Sequence, residues 1–98
     1  MLGLAKRAGK VGTGMQAVEQ AVRRNKASLI WLASDAGPHT TEKIQRLAQR
    51  SEVPLLHRGD RHELGHWCGQ QATVVLAVTD TSFAQAIARK SEENKESE

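Results

Sequence analysis

Apolar residues fall along this chain in short blocks whose spacing switches between helical and extended. Met15, Val18 and Val22 recur at helical intervals with Ala21 beside them, while Gln16, Gln20, Arg23 and Arg24 gather on the other side. Thr13 followed by Gln16 has capping-box spacing, so this helix is expected to begin at Gly12 and Gly14 and to end near Asn25. Leu29 to Ala33 is a continuous apolar run, too short for a helix and suited to a strand covered on both faces. After the turn residues Asp35, Ala36, Gly37 and Pro38, the residues Ile44, Leu47, Ala48 and Ser51 mark one side of a second helix. Val53 to His57 predicts a short strand. Asp60, with Glu63 three positions later, opens a helix through about Cys68 with Leu64 and Trp67 inward. Val74 to Val78 is the clearest strand, and Asp80 is expected to cap a last helix that buries Phe83, Ala84 and Ile87.

This alternation predicts an α/β fold: a single-domain, three-layer α/β/α sandwich with a small mixed central sheet, built from three main strands and about five helices. A chain of 98 residues has room for one such core without disulfides or a structural metal. The lone Cys68 fits a reducing compartment. No apolar run approaches the roughly 20 residues that span a bilayer, and the opening MLGLAKRAGK lacks the apolar centre of a signal peptide. The expectation is a cytoplasmic, monomeric protein with no membrane partner. Residues 1–90 read as the domain, and the acidic 91–98 as a disordered tail too polar to pack.

Charge is segregated. The net charge is +3, yet the first 26 residues carry Lys6, Arg7, Lys10, Arg23, Arg24 and Lys26 against the single acid Glu19. The last eight residues, SEENKESE, hold four Glu and one Lys. A basic segment beside glycines at a helix start suits a polyanion such as a phosphate backbone. The backbone N–H groups at Gly14 and its neighbours, unpaired at a helix start, are suited to hold a phosphate, with Lys10 adding charge.

Other candidate chemistries are weaker. Gly12-Thr13-Gly14 lacks the preceding strong strand, the third glycine and the distant acid of a dinucleotide site. His62-Glu63-Leu64-Gly65-His66 spells the HExxH zinc-protease signature. The helix that carries it is only about two turns long, and the position of the third ligand falls on Ala72. Two exposed histidines flanking an inward Leu64 are expected instead. Cys68, among apolar neighbours and without an orienting acid, reads as a core residue, and Asp35 and Asp80 read as turn or helix caps. No catalytic, metal-binding or cofactor-binding residue is therefore expected.

Several segments together carry a family likeness: LGLAKRAGK (Leu2 to Lys10), Thr13 with Gly14, LIWLASDAGP (Leu29 to Pro38), Glu63-Leu64-Gly65, and VVLAVTDTSFAQAI (Val74 to Ile87). Over residues 2–88 the chain resembles the ribosomal protein family that binds kink-turn RNA, the seven-Ae/thirty-e type, and more closely its bacterial YlxQ-type branch. The resemblance implies a non-enzymatic, ribosome-associated domain that binds structured RNA through the N-terminus of its second helix and the loops beside it. It also implies roles along that helix, where relatives carry an Asn and a Glu that read sheared G·A pairs and a Lys that holds the backbone. Those roles fall here on Gln16, Ala17 and Gln20. Gln16 keeps amide donors and acceptors with a longer reach, Ala17 offers none, and Gln20 carries no charge. The implied footprint is completed by Gly37, by Arg61 at a helix start, and by Gln70, Gln71 and Ala72, while Arg23 remains available as a charge for RNA binding in general. The alternatives are a protein-interaction module that kept the fold without RNA binding and a zinc site at His62 and His66.

Overall fold

The computed structural model describes residues 11–82 and 84–86. Its elements are β1 (Val11–Thr13), α1 (Met15–Arg23), β2 (Leu29–Leu32), α2 (Pro38–Ser51), β3 (Leu55–His57), α3 (Arg61–Cys68) and β4 (Val75–Val78). Residues 81, 82 and 84–86 are also helical. The strands form one sheet in the order β1-β4-β2-β3. β4 runs antiparallel to both its neighbours, whereas β2 and β3 are parallel, so the sheet is mixed as the sequence predicts.

The two central strands, β2 and β4, are the two continuous apolar runs, and every one of their residues is buried. Alternation along a strand sends successive side chains to opposite faces. Leu29, Trp31, Leu76 and Val78 therefore meet Leu64 and Cys68 of α3, together with Ala84. Ile30, Leu32, Val75 and Ala77 meet Val18 of α1 and Ile44 and Ala48 of α2. Helices thus cover both faces, which gives the three layers. Val18 is fully buried, and a side chain of that size stabilises the fold by about 1.5–3 kcal/mol. Cys68 is a core residue, 4 % exposed.

Two sequence expectations are corrected. The first concerns strand number. The described residues contain four strands rather than three, because Val11–Thr13 pairs with β4 in register Val11 to Val78 and Thr13 to Leu76. Three residues are too few to show a period of two, so this edge strand exists through its partner rather than through its own pattern. The second concerns the capping box. Gly14, not Thr13, is the N-cap of α1 and no side chain caps it. Thr13 belongs to the strand, with its hydroxyl turned to Gln70. The segment Leu2 to Lys10, the side chain of Trp67, and Phe83 and Ile87 lie outside the described residues.

Asp60 caps α3 as predicted, and the helix ends at Cys68. α2 begins at Pro38, where the missing N–H is no loss, and ends at Glu52 in the left-handed region. No described helix is long and apolar enough to cross a membrane.

Candidate nucleic-acid interface

The connections β1–α1, β2–α2, β3–α3 and α3–β4 all emerge at one end of the sheet. This follows from the registers, which place Thr13 opposite Leu76, Leu32 opposite Val75, and Leu32 beside His57. Residues from these distant parts of the chain converge there on a cleft of about 330 Å³, whose wall includes Gly14, Met15, Thr40, Gln70, Ala72 and Thr73.

The start of α1 forms one wall. Gly14 has φ +94°, a conformation that L side chains rarely adopt. Contrary to the sequence expectation, its backbone N–H is not open to a phosphate, because the pairing of β1 with β4 brings it 2.9 Å from the Val75 carbonyl, to which it donates. Val18 N–H donates to the Gly14 carbonyl. The three preceding N–H groups, from Met15, Gln16 and Ala17, meet no capping side chain, and the first turn holds no acid. Such a helix start has the chemistry to accept an external anion.

Gln16 and Gln20 are exposed and one turn apart, so they share a face. Ala17 is half-buried. Its Cβ would stand 3.1 Å from a Cβ built on Gly12, so the small pair lets α1 lie close on β1. Arg23 is exposed in the last turn.

The loop after α3 forms the opposite wall. Gln70 donates from Nε2 to Thr13 Oγ1 at 3.0 Å, and its Oε1 accepts from Thr73 Oγ1 at 2.9 Å. Gln70 N–H also donates to the Gly65 carbonyl at 2.7 Å, and Thr73 N–H to the Arg61 carbonyl at 2.9 Å. The loop is fitted tightly to α3: a Cβ on Gly65 would lie 2.7 Å from Ala72 Cα and N. Gln71 and Ala72 remain exposed.

Arg61 and Gly37 sit in the third part of this end. Arg61 is engaged by Asp35: its backbone N–H donates to Oδ1 at 3.0 Å, its Nε to Oδ2 at 3.1 Å, and a guanidinium NH2 to the Asp35 carbonyl at 2.9 Å. Partial loss of hydration pushes the Asp35 carboxyl upward. The hydrogen bonds from Arg61 and its positive charge outweigh this and hold the carboxyl below the usual value. Asp35 is thus a cap, but for α3 rather than for the helix that follows it in sequence. Gly37 is the exposed N-cap of α2, three residues before Thr40 of the cleft.

Of the positions expected from sequence, Gly14, Gln70 and Ala72 line the cleft, Gln16 and Ala17 directly follow its wall, and Gln20 and Arg23 continue along α1. Lys10 lies outside the described residues. Sequence reasoning missed Thr13 and Thr40 as cleft residues. Only the hydrogen-bonding capacity of their side chains signals them, and that gains meaning through contacts far apart in the chain. His62 and His66 are exposed on either side of the fully buried Leu64. Among the described residues, no three His, Cys, Asp or Glu side chains are grouped to hold a metal ion.

The chain is similar to known proteins over most of its length. The chain is 38 % identical over 87 residues to the RNA-binding protein YlxQ of Bacillus subtilis, covering 89 % of this chain and 87 % of that protein. It is 31 % identical over 85 residues to the RNA-binding protein YlxQ of Enterococcus faecium, covering 87 % and 82 %. A solved structure of a Bacillus halodurans protein of unknown function superposes with a TM-score of 0.86 at 36 % identity, covering 90 % of this chain and 89 % of that one. The Giardia lamblia 15.5kD RNA binding protein shares the fold, with a TM-score of 0.77 at 20 % identity over 91 % of this chain and 76 % of that one. Residues 1–88 match the family model for the ribosomal protein L7Ae/L30e/S12e/Gadd45 family, and the chain belongs to that family.

Proposed function

We propose that this protein is a non-enzymatic binder of structured RNA. The observation that carries the reading is the open helix start at Gly14, facing a cleft whose other wall is the loop held by Gln70. Phosphate oxygens are held by the free N–H groups of the first turn of α1, with Lys10 adding charge. Gln16 and Gln20 reach base edges through their amides, and Arg23 extends the contact along the strand. Gly37, Gln71 and Ala72 let the RNA backbone approach, while Arg61 keeps the loops in place through Asp35. The domain is monomeric and cytoplasmic, and its RNA is ribosomal or similarly folded.

A kink-turn is the preferred target, with Gln16 supplying base-edge hydrogen bonds where relatives use Asn. Equilibrium titration against a kink-turn RNA and a plain duplex of equal length, at two salt concentrations, tests this. Kink-turn binding that stays selective at the higher salt is expected. Equal, weak and steeply salt-dependent binding to both RNAs would overturn the kink-turn assignment.

A further inference from the structure

A second, larger groove of about 810 Å³ lies between α1 and α2, on the same side of the sheet as the cleft. One wall is a stripe along α2. His39, Lys43, Arg46 and Arg50 fall three or four residues apart, so they line one face over about 16 Å at 1.5 Å per residue. The other wall includes Val22 and Arg23 of α1. Two acids, Glu19 and Glu42, also line the groove.

Charge is not evenly spread along it. Near the cleft, Lys43 Nζ and Glu19 Oε1 are 2.8 Å apart and neutralise each other. The hydrogen bond from Lys43, and then its charge, holds the Glu19 carboxyl below its usual value, so the pair stays ionised. Farther along, Arg46 and Arg50 carry the positive excess, while Arg23 acts on the Glu19 carboxylate one turn before it and Glu42 lies one turn before Arg46. Arg46 and Arg50 are exposed and make no ion pair among the described residues. Both helices lead from the cleft into this region: Met15 and Thr40 line the cleft, and Glu19, Arg23, Lys43 and Arg46 follow on the next turns.

We infer that the groove between α1 and α2 carries the sugar-phosphate backbone of a duplex stem leaving the RNA element bound at the Gly14 cleft. The inference rests on the RNA-binding reading above. Guanidinium groups suit phosphate oxygens because their planar donors bind two at a time. A stripe of this length faces several consecutive phosphates of one strand. The positive excess at the far end favours a polyanion that runs outward past the neutral Lys43–Glu19 pair. An apolar protein surface would gain little from three guanidinium groups flanking two half-buried apolar side chains, Val22 and Leu47.

The test compares two kink-turn RNAs, one with short flanking stems and one with a stem extended by a full helical turn. Each is titrated against the full chain and against the double variant Arg46→Gln, Arg50→Gln. Glutamine keeps helix propensity at these exposed positions, and circular dichroism checks the fold. The expected result is several-fold weaker binding of the long-stem RNA by the variant, with its salt slope reduced by about 1.4–1.8 for two lost phosphate contacts. Short-stem affinity is expected to stay unchanged. Rescue of the long-stem slope by Arg46→Lys, Arg50→Lys would support the charge-based contact. If the unmodified chain binds neither the kink-turn RNAs nor a plain duplex at either salt concentration, the RNA reading itself fails. If it binds both kink-turn RNAs and the glutamine variant matches it on the long stem, the RNA reading stands and the groove contact is overturned, leaving the groove to a protein partner.

Discussion

Two helices start at the same end of the sheet and solve the same electrostatic problem in opposite ways. At α3 every early N–H is answered from within the chain. Arg61 N–H donates to Asp35, His62 and Glu63 N–H to Asp60 Oδ1 at 2.9 and 2.8 Å, and Leu64 N–H to the Asp60 carbonyl. Glu63 adds a further negative charge in the first turn. At α1 the cap is a glycine, no acid is present, and only Val18 N–H finds a partner in the Gly14 carbonyl. A helix end closed by carboxylates is structural, whereas one left open keeps its partial positive charge for a ligand. The contrast sets a self-contained helix start beside one with the capacity to accept an external anion.

Predictions follow from disturbing each start in turn. The largest effect is expected at the closed side. Gly65→Ala adds a methyl 2.7 Å from the Ala72 backbone, and overpacking of this kind costs about 1–3 kcal/mol, enough to outweigh the better helix propensity of alanine. Because the displaced loop carries Gln70 and Ala72, both melting temperature and RNA affinity should fall. An unchanged melting temperature would mean that the loop yields freely. A smaller loss is expected from Asp60→Ala, which removes two capping bonds and costs about 1 kcal/mol of unfolding free energy in urea titrations. RNA affinity should be retained, and a selective loss of binding would place the start of α3 inside the interface. The smallest effect, and the sharpest, comes from Gln16→Glu at the open start. A carboxylate in the first turn stabilises the helix dipole by about 0.3–1 kcal/mol, so stability should rise while RNA binding weakens. If both move in the same direction, the helix start is not where the anion sits.

Much of this arrangement is legible in the sequence. LIWL and VLAV read as doubly covered strands because nothing polar interrupts them, and they are the buried centre of the sheet. The Asp60 cap is local, three residues from Glu63, and is therefore visible as a pattern. What the sequence hides is non-local. β1 is three residues long and owes its existence to β4, more than sixty positions away. Thr13 and Gln16 have the spacing of a capping box, but a strand claims the threonine and Gln70 claims its hydroxyl. Asp35 reads as the start of a turn, yet its partner Arg61 is 26 residues on. The HExxH pattern arises because a glycine is needed against Ala72 and a leucine in the core, while the two histidines occupy the exposed positions that flank them.

Gln70 sets a direction as well as a position. Thr73 spends its only hydroxyl hydrogen on Gln70 Oε1, and Gln70 in turn offers its Nε2 hydrogen to Thr13. Since the Thr13 oxygen is already an acceptor, its own hydrogen is the loose end of a relay that runs Thr73 to Gln70 to Thr13, each bond polarising the next. The rim of the cleft beside the open N–H groups of α1 is therefore donor-rich on both sides. Under the proposed RNA reading, this rim suits groups that bring lone pairs, as phosphate oxygens and the N7 and O6 edge of guanine do.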